Sequence, residues 1–199
     1  MGHNRNNLTA LIGSRICHDL ISPIGAIANG LELMQMSGGP LGAEMALITD
    51  SVQNANARIR FFRVAYGLAT TQQAMGRAEI VGILQDMAQG SRVRFQWGPL
   101  DPVPRAEVRL VFLAIQCFET AMPYGGQVTI TRDDGGWRLE GQAERLRPCP
   151  DLWRGLASPD SASEVSPSEV QFALLPLLAQ DEGREVAVTC SETGIVMRF

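Results

Sequence analysis

Apolar residues open the chain at helical spacing. From about Leu8 to Met36 they fall at Leu8, Ile12, Ile16, Leu20, Pro23, Ile27, Leu31 and Met34, one broad stripe at about 100° per residue. Ser37-Gly38-Gly39-Pro40 breaks the run, because glycine loses entropy in a helix and proline favours a fresh start. A second stripe, Met45, Ile48, Val52, Ala55, Ile59, Phe62 and Tyr66, predicts another helix from about Gly42 to Leu68. So short a connection makes the two helices antiparallel neighbours. Together they carry more apolar surface than one hairpin covers. Either two chains pair their hairpins into a four-helix bundle, as an obligate homodimer, or the rest of the chain covers the stripes. The pattern alone favours neither.

After the polar stretch Thr70-Thr71-Gln72-Gln73, which reads as a linker, the period changes. A helix over Glu79 to Ala88 leads to a strand, Val93 to Trp97, and a Gly-Pro turn. Val108, Val111, Phe112, Ile115 and Phe118 then mark a strongly apolar helix from Arg105 to Ala121. A hairpin follows, Gln127 to Thr131 and Trp137 to Gly141, joined at Asp133-Asp134-Gly135-Gly136, where Asp-Gly signals a tight turn. Beyond a Pro-, Ser- and Asp-rich region with a short helix near Leu152 to Leu156, a helix over Ser168 to Ala179 is expected. Ser166 or Ser168 suits its cap, Pro167 its first turn, and Pro176 should bend or shorten it. Strands at Glu185 to Cys190 and Gly194 to Arg198 end the pattern. The fold class is α+β: a helical hairpin over residues 1–72, then an α/β sandwich over 73–199 with helices on one face.

Composition narrows the partners. A chain of 199 residues with 45% hydrophobic and 19% charged side chains is ordinary for a globular protein. A net charge of −4 gives no electrostatic case for nucleic-acid binding. No run approaches the roughly 18 to 20 apolar residues that span a bilayer, and Met1 to Asn7 is no signal peptide. A cytoplasmic protein with no membrane contact is therefore expected. Cys17, Cys117, Cys149 and Cys190 are scattered, which suggests neither a zinc site nor a disulfide framework.

Candidate chemistry gathers at Ser14-Arg15-Ile16-Cys17-His18-Asp19-Leu20-Ile21-Ser22-Pro23. The chain has one other histidine, His3, in a polar N-terminal tail. His18 lies opposite the centre of its stripe and should face outward, with Arg15 at i−3 and Ser22 at i+4 on the same face. Pro23 cannot donate to the carbonyl of Asp19, so a bend is expected there. Simpler readings exist: a His-Asp pair on a helix is commonly a surface pair, Arg15 is equally suited to bridging a nearby acid, and Cys17 packs as a small hydrophobe.

Ile16-Cys17-His18-Asp19-Leu20-Ile21-Ser22-Pro23 resembles the H-box of sensor histidine kinases, a phosphorylatable His followed by an acid and then a Pro. The longer run Ser14 to Leu33 is more similar to the ChpT-type histidine phosphotransferases of alphaproteobacteria. The resemblance is strong in the first helix, moderate over Phe61 to Gly67, and architectural afterwards. It implies a dimerising four-helix bundle followed by a degenerate kinase-like domain. The implied function is a multistep phosphorelay in which His18 exchanges phosphoryl groups with receiver-domain aspartates. Neutral imidazole suits this, being a good nucleophile near pH 7 and a good leaving group afterwards. On this reading Asp19 orients the imidazole, Arg15 and Ser22 contact phosphate oxygens, and Ile21, Gly25 and Asn29 belong to the docking face for response-regulator receivers, whether of an upstream hybrid kinase or downstream regulators. No cofactor of its own is expected, because the receiver brings Mg²⁺.

Departures from the kinase pattern argue against ATP. Where a kinase needs an Asn for Mg²⁺, the count back from Pro123 reaches Cys117, a poor ligand for a hard cation. Gly141 to Arg147 replaces a glycine-rich adenine-reading turn with bulky and charged side chains, and Ser161 to Glu169 has no glycine for a lid. No ATP-dependent kinase activity is expected. The alternatives are an ATP-dependent sensor kinase core, or a non-catalytic scaffold that binds receivers.

Overall fold

The structure, a computed structural model, describes residues 2–36, 42–69, 73–157 and 165–199. Helices α1 (Gly2–Met36) and α2 (Gly42–Ala65) form the hairpin. The first helix begins at Gly2, six residues before the apolar stripe, so the predicted polar tail is helical. It continues through Pro23 without interruption. Gly30 is buried against α2, and a Cβ there would sit 2.7 Å from Ile48 Cγ1. The predicted break at Ser37 to Pro40 and most of the linker at Thr70 to Gln73 lie outside the described residues.

The second part contains β1 (Ala74–Met75), α3 (Arg77–Gln89), β2 (Val93–Trp97), β3 (Val103–Pro104), α4 (Arg105–Ala121), β4 (Gly126–Asp133), β5 (Gly136–Gln142), α5 (Pro150–Ala157), α6 (Val170–Asp181), β6 (Ala187–Cys190) and β7 (Gly194–Arg198). Five strands make one mixed sheet, in the order β2-β4-β5-β7-β6, with β2 parallel to β4 and the other neighbours antiparallel. Val128, Ile130, Trp137, Leu139, Ile195 and Met197 are buried at alternate positions, so one face of the sheet meets the helices. The β4–β5 turn is the expected one. Asp133 Oδ1 accepts from the Gly135 N–H at 2.8 Å, and Gly136 takes a φ of 108° that leaves a Cβ only 2.6 Å from the Phe199 carbonyl oxygen. The short strands β1 and β3, which pair antiparallel, were not anticipated.

A single 3-10 turn, Pro167–Glu169, leads into α6. The Glu169 carboxylate accepts from the Ser166 N–H at 3.0 Å and from the Ser166 hydroxyl at 2.6 Å. The expected Ser-Pro start is therefore present, with the α-helix itself delayed to Val170.

The buried core crosses the join between hairpin and sandwich. Phe61, Phe62, Val64 and Ala65 at the end of α2 belong to the same cluster as α3, α4 and the sheet. Phe61 stacks on Phe112 of α4 with centroids 4.6 Å apart. Leu8, Leu11, Ile12 and Ile16 of α1 pack against that cluster. The far half of the hairpin is uncovered: Ile21, Ile24 and Leu31 of α1 and Met45, Val52 and Ile59 of α2 are exposed. Leu31, Met45, Val52 and Ile59 belong to the predicted stripes, and the rest of the chain leaves them uncovered.

Candidate functional site

His18 stands midway along α1 with its side chain 77% exposed. Its Nδ1 lies 3.1 Å from Asp19 Oδ1. An ionised carboxylate only accepts, so this contact assigns the proton of a neutral ring to Nδ1 and leaves the Nε2 lone pair facing solvent. Successive helical residues diverge by about 100°, which is why Asp19 turns inward, its side chain 9% exposed, while its neighbour turns out.

Two arginines share the other carboxylate oxygen. Arg15 Nε donates to Asp19 Oδ2 at 2.9 Å from one turn earlier on α1. Arg58 Nη1 of α2 donates to the same Oδ2 at 3.3 Å. Arg15 also donates through Nη1 to the backbone carbonyl of Ser168, in the turn that opens α6. Its guanidinium thus points toward the second part of the chain. Of the two sequence readings of Arg15, pairing with an acid is the one the structure shows.

Behind this cluster a set of hydrogen-bonded polar side chains continues into the sandwich beside the apolar core. Gln171 Nε2 donates to the Ser168 carbonyl at 3.2 Å and to Thr120 Oγ1 at 3.1 Å. Tyr66 donates its hydroxyl to Gln116 Oε1 at 2.7 Å, and burial above all pushes its phenol up to about 12. Glu119 accepts from Ser91 Oγ at 3.3 Å. Burial raises its carboxyl above the ordinary range, opposed first by Arg58.

Ser22, Ile21, Gly25 and Asn29 are all exposed, and with His18 they form one continuous strip of the α1 surface. A Cβ on Gly25 would meet nothing within 4 Å, so the glycine leaves the strip low without being needed for packing. Cys17, expected to pack as a small hydrophobe, is exposed. Cys117 is in the core, where burial raises its thiol well above the usual value. Sequence reasoning missed Arg58 and Ser168. Arg58, Arg60 and Arg63 alternate along the end of α2, and nothing in their spacing says which one reaches across to Asp19. Among the described residues no group of three His, Cys, Asp or Glu side chains is placed to hold a metal ion.

A family model described as the histidine phosphotransferase C-terminal domain matches residues 77–194. The chain belongs to the histidine phosphotransferase family. The phosphotransferase is 31% identical over 96% of its length to the protein phosphotransferase ChpT of Brucella abortus (strain 2308), covering 93% of that protein. A solved bacterial phosphotransferase aligns with a TM-score of 0.78 at 31% identity, over 96% of this chain and 94% of the other. At the level of fold alone, the histidine kinase ThkA, solved in complex with the response regulator TrrA, aligns with a TM-score of 0.50 and 13% identity, over 98% of this chain and 62% of that one. A phosphotransfer role in a phosphorelay comes with membership of the family, and the ChpT-type resemblance seen in α1 holds across the chain. No helix among the described residues of the phosphotransferase is long and apolar enough to cross a membrane.

Proposed function

We propose that His18 is the phosphoacceptor, taking a phosphoryl group from an aspartyl phosphate on one receiver domain and giving it to an aspartate on another. The observation that carries this reading is the exposed imidazole whose Nδ1 is engaged by Asp19, with Nε2 directed away from the protein. In the forward step Nε2 attacks phosphorus, the N–P bond forms, and the aspartyl P–O bond breaks with its electrons returning to the receiver carboxylate. The Nδ1 proton stays in place, and Asp19 stabilises the cationic ring that results. The receiver supplies Mg²⁺ for the charge on the transferring group. Ser22 is one turn from His18 and free to donate to a phosphate oxygen. Ile21, Gly25 and Asn29 extend the same strip as a docking surface for the receiver.

ATP has no part in this reading. Cys117, at the position where a kinase holds Mg²⁺, is sealed in the core as a protonated thiol. Phe118, Trp153 and Phe172 pack edge to face at 5.7 and 5.5 Å between α4, α5 and α6. The exposed apolar residues of the far hairpin support a homodimer. On α1 Ile24, Ala28 and Leu31, and on α2 Met45, Val52 and Ile59, recur at the three-, four- and seven-residue steps of a bundle seam. A second copy of the hairpin would cover both.

The test is to charge receiver domains from labelled acetyl phosphate and mix them with the protein. Label should leave the receiver and appear on wild type but not on His18→Ala, and ATP alone should label neither. Loss of receiver label that is indifferent to His18→Ala would sink the proposal.

A further inference from the structure

We infer that Arg58 is a positioning residue for the phosphoacceptor, acting through Asp19 from the second helix; this rests on His18 being the nucleophile. The geometry divides the Asp19 carboxylate between two tasks. Oδ2 receives Arg15 Nε at 2.9 Å and Arg58 Nη1 at 3.3 Å, while Oδ1 faces His18 Nδ1 at 3.1 Å. Arg15 and Asp19 belong to one helix, one turn apart. Their mutual contact leaves the carboxylate free to turn about its last bond and to exchange its oxygens. Arg58 approaches from a different helix, with its side chain 30% exposed. It is the direct hydrogen bond from the second helix to the carboxylate, and with both donors on Oδ2 only Oδ1 remains for the ring.

The consequence for chemistry is a choice of tautomer. With Oδ1 held toward Nδ1, the neutral imidazole keeps its proton there and presents Nε2 to phosphorus. If the carboxylate swings away, the ring reverts to the tautomer with the proton on Nε2, which blocks the reacting lone pair. The Arg58 charge also acts on Glu119 of α4, whose carboxyl it favours in the ionised form against burial.

Phosphoramidate is a probe that needs no receiver: imidazole Nε2 forms a bond to phosphorus, the P–N bond breaks, and ammonia departs with a proton. The intact protein would be compared as wild type, Arg58→Gln, Arg58→Lys and Arg60→Gln, the last removing a different α2 ion pair, that with Asp86. His18 phosphorylation should slow about tenfold in Arg58→Gln, the scale on which partners of a functional imidazole act. It should be unchanged in Arg60→Gln and intermediate in Arg58→Lys, which keeps the charge without the fork. Ring ¹⁵N shifts in a His3→Ala background should move from the Nδ1–H toward the Nε2–H form in Arg58→Gln. Wild-type rate and tautomer in that variant would overturn the inference, and so would a slower rate with an unmoved tautomer. Should Arg58→Gln fail to fold, the same two readouts on Arg58→Lys decide. Failure of the phosphoacceptor reading itself is distinct: there His18→Ala would be labelled like wild type.

Discussion

Arg15 and Ser168 are 153 residues apart in sequence, yet the guanidinium of one donates to the backbone carbonyl of the other. Through this bond the turn that opens α6 reaches the carboxylate beside His18, because Arg15 also holds Asp19. Truncation at Arg15 would leave a largely buried carboxylate with one cation and a carbonyl with one side-chain donor. Arg15→Ala should therefore cost about 1 to 3 kcal/mol. Urea unfolding gives the total, and hydrogen exchange should show the loss of protection concentrated in the first turn of α6.

Tyr66 offers a cleaner polar deletion. Its hydroxyl stays protonated throughout the physiological range, with its phenol near 12, and it satisfies a Gln116 side chain only 2% exposed. Tyr66→Phe keeps the ring and strands that oxygen, so about 1 to 3 kcal/mol should be lost. Gln116→Leu in the Tyr66→Phe background should recover part of it, a non-additivity that a double-mutant cycle reads directly.

Glu119 should make stability depend on pH. Its folded carboxyl titrates above the ordinary range because it is buried, with Arg58 and Arg15 opposing and Asp19 reinforcing the shift. Between the unfolded and folded values the native state binds more protons than the unfolded chain, so stability falls as pH rises through that window. Above the folded value the loss is complete. Glu119→Gln removes the titration, so the variant should be more stable than wild type at about pH 8 and lose that advantage at about pH 4. Thermal unfolding at both pH values checks the sign.

Association is expected to fail when charge enters the uncovered hairpin seam. Ile24→Asp and Val52→Asp place carboxylates on the apolar faces of α1 and α2, where each wild-type side chain is exposed in a single copy. Light scattering should report a monomer with the helical content of wild type. A variant dimer as tight as the parent would remove the seam from consideration.

Sequence pattern recovered what depends on local chemistry. Helix α4 and strand β2 run over the predicted residues, because one is a dense apolar run and the other is a β-branched and aromatic stretch bounded by turns. The His18 strip followed from helical spacing alone. What escaped depended on distance. Strands β1 and β3 are two-residue pieces that exist only because Ala74 and Met75 meet Pro104 and Val103 across the chain. Arg58 and Ser168 enter the site from other elements, and their residue types carry no signal of it. Leu31 and Val52 belong to stripes whose covering the pattern left open, because a stripe read from one helix cannot tell a core within the chain from a seam between copies.

Arg58 and Phe61 are separated by one turn of α2. The first holds Asp19 and the second stacks on Phe112 in the core. A rotation or slide of α2 therefore cannot disturb one without straining the other, and the hairpin is geared to the sandwich rather than hinged on it. A domain that carried its own phosphoryl donor to His18 would have to swing in and withdraw at each cycle. Here stacked rings fill that joint, which fits the proposed role, with the histidine in the open and the visiting partner doing the moving.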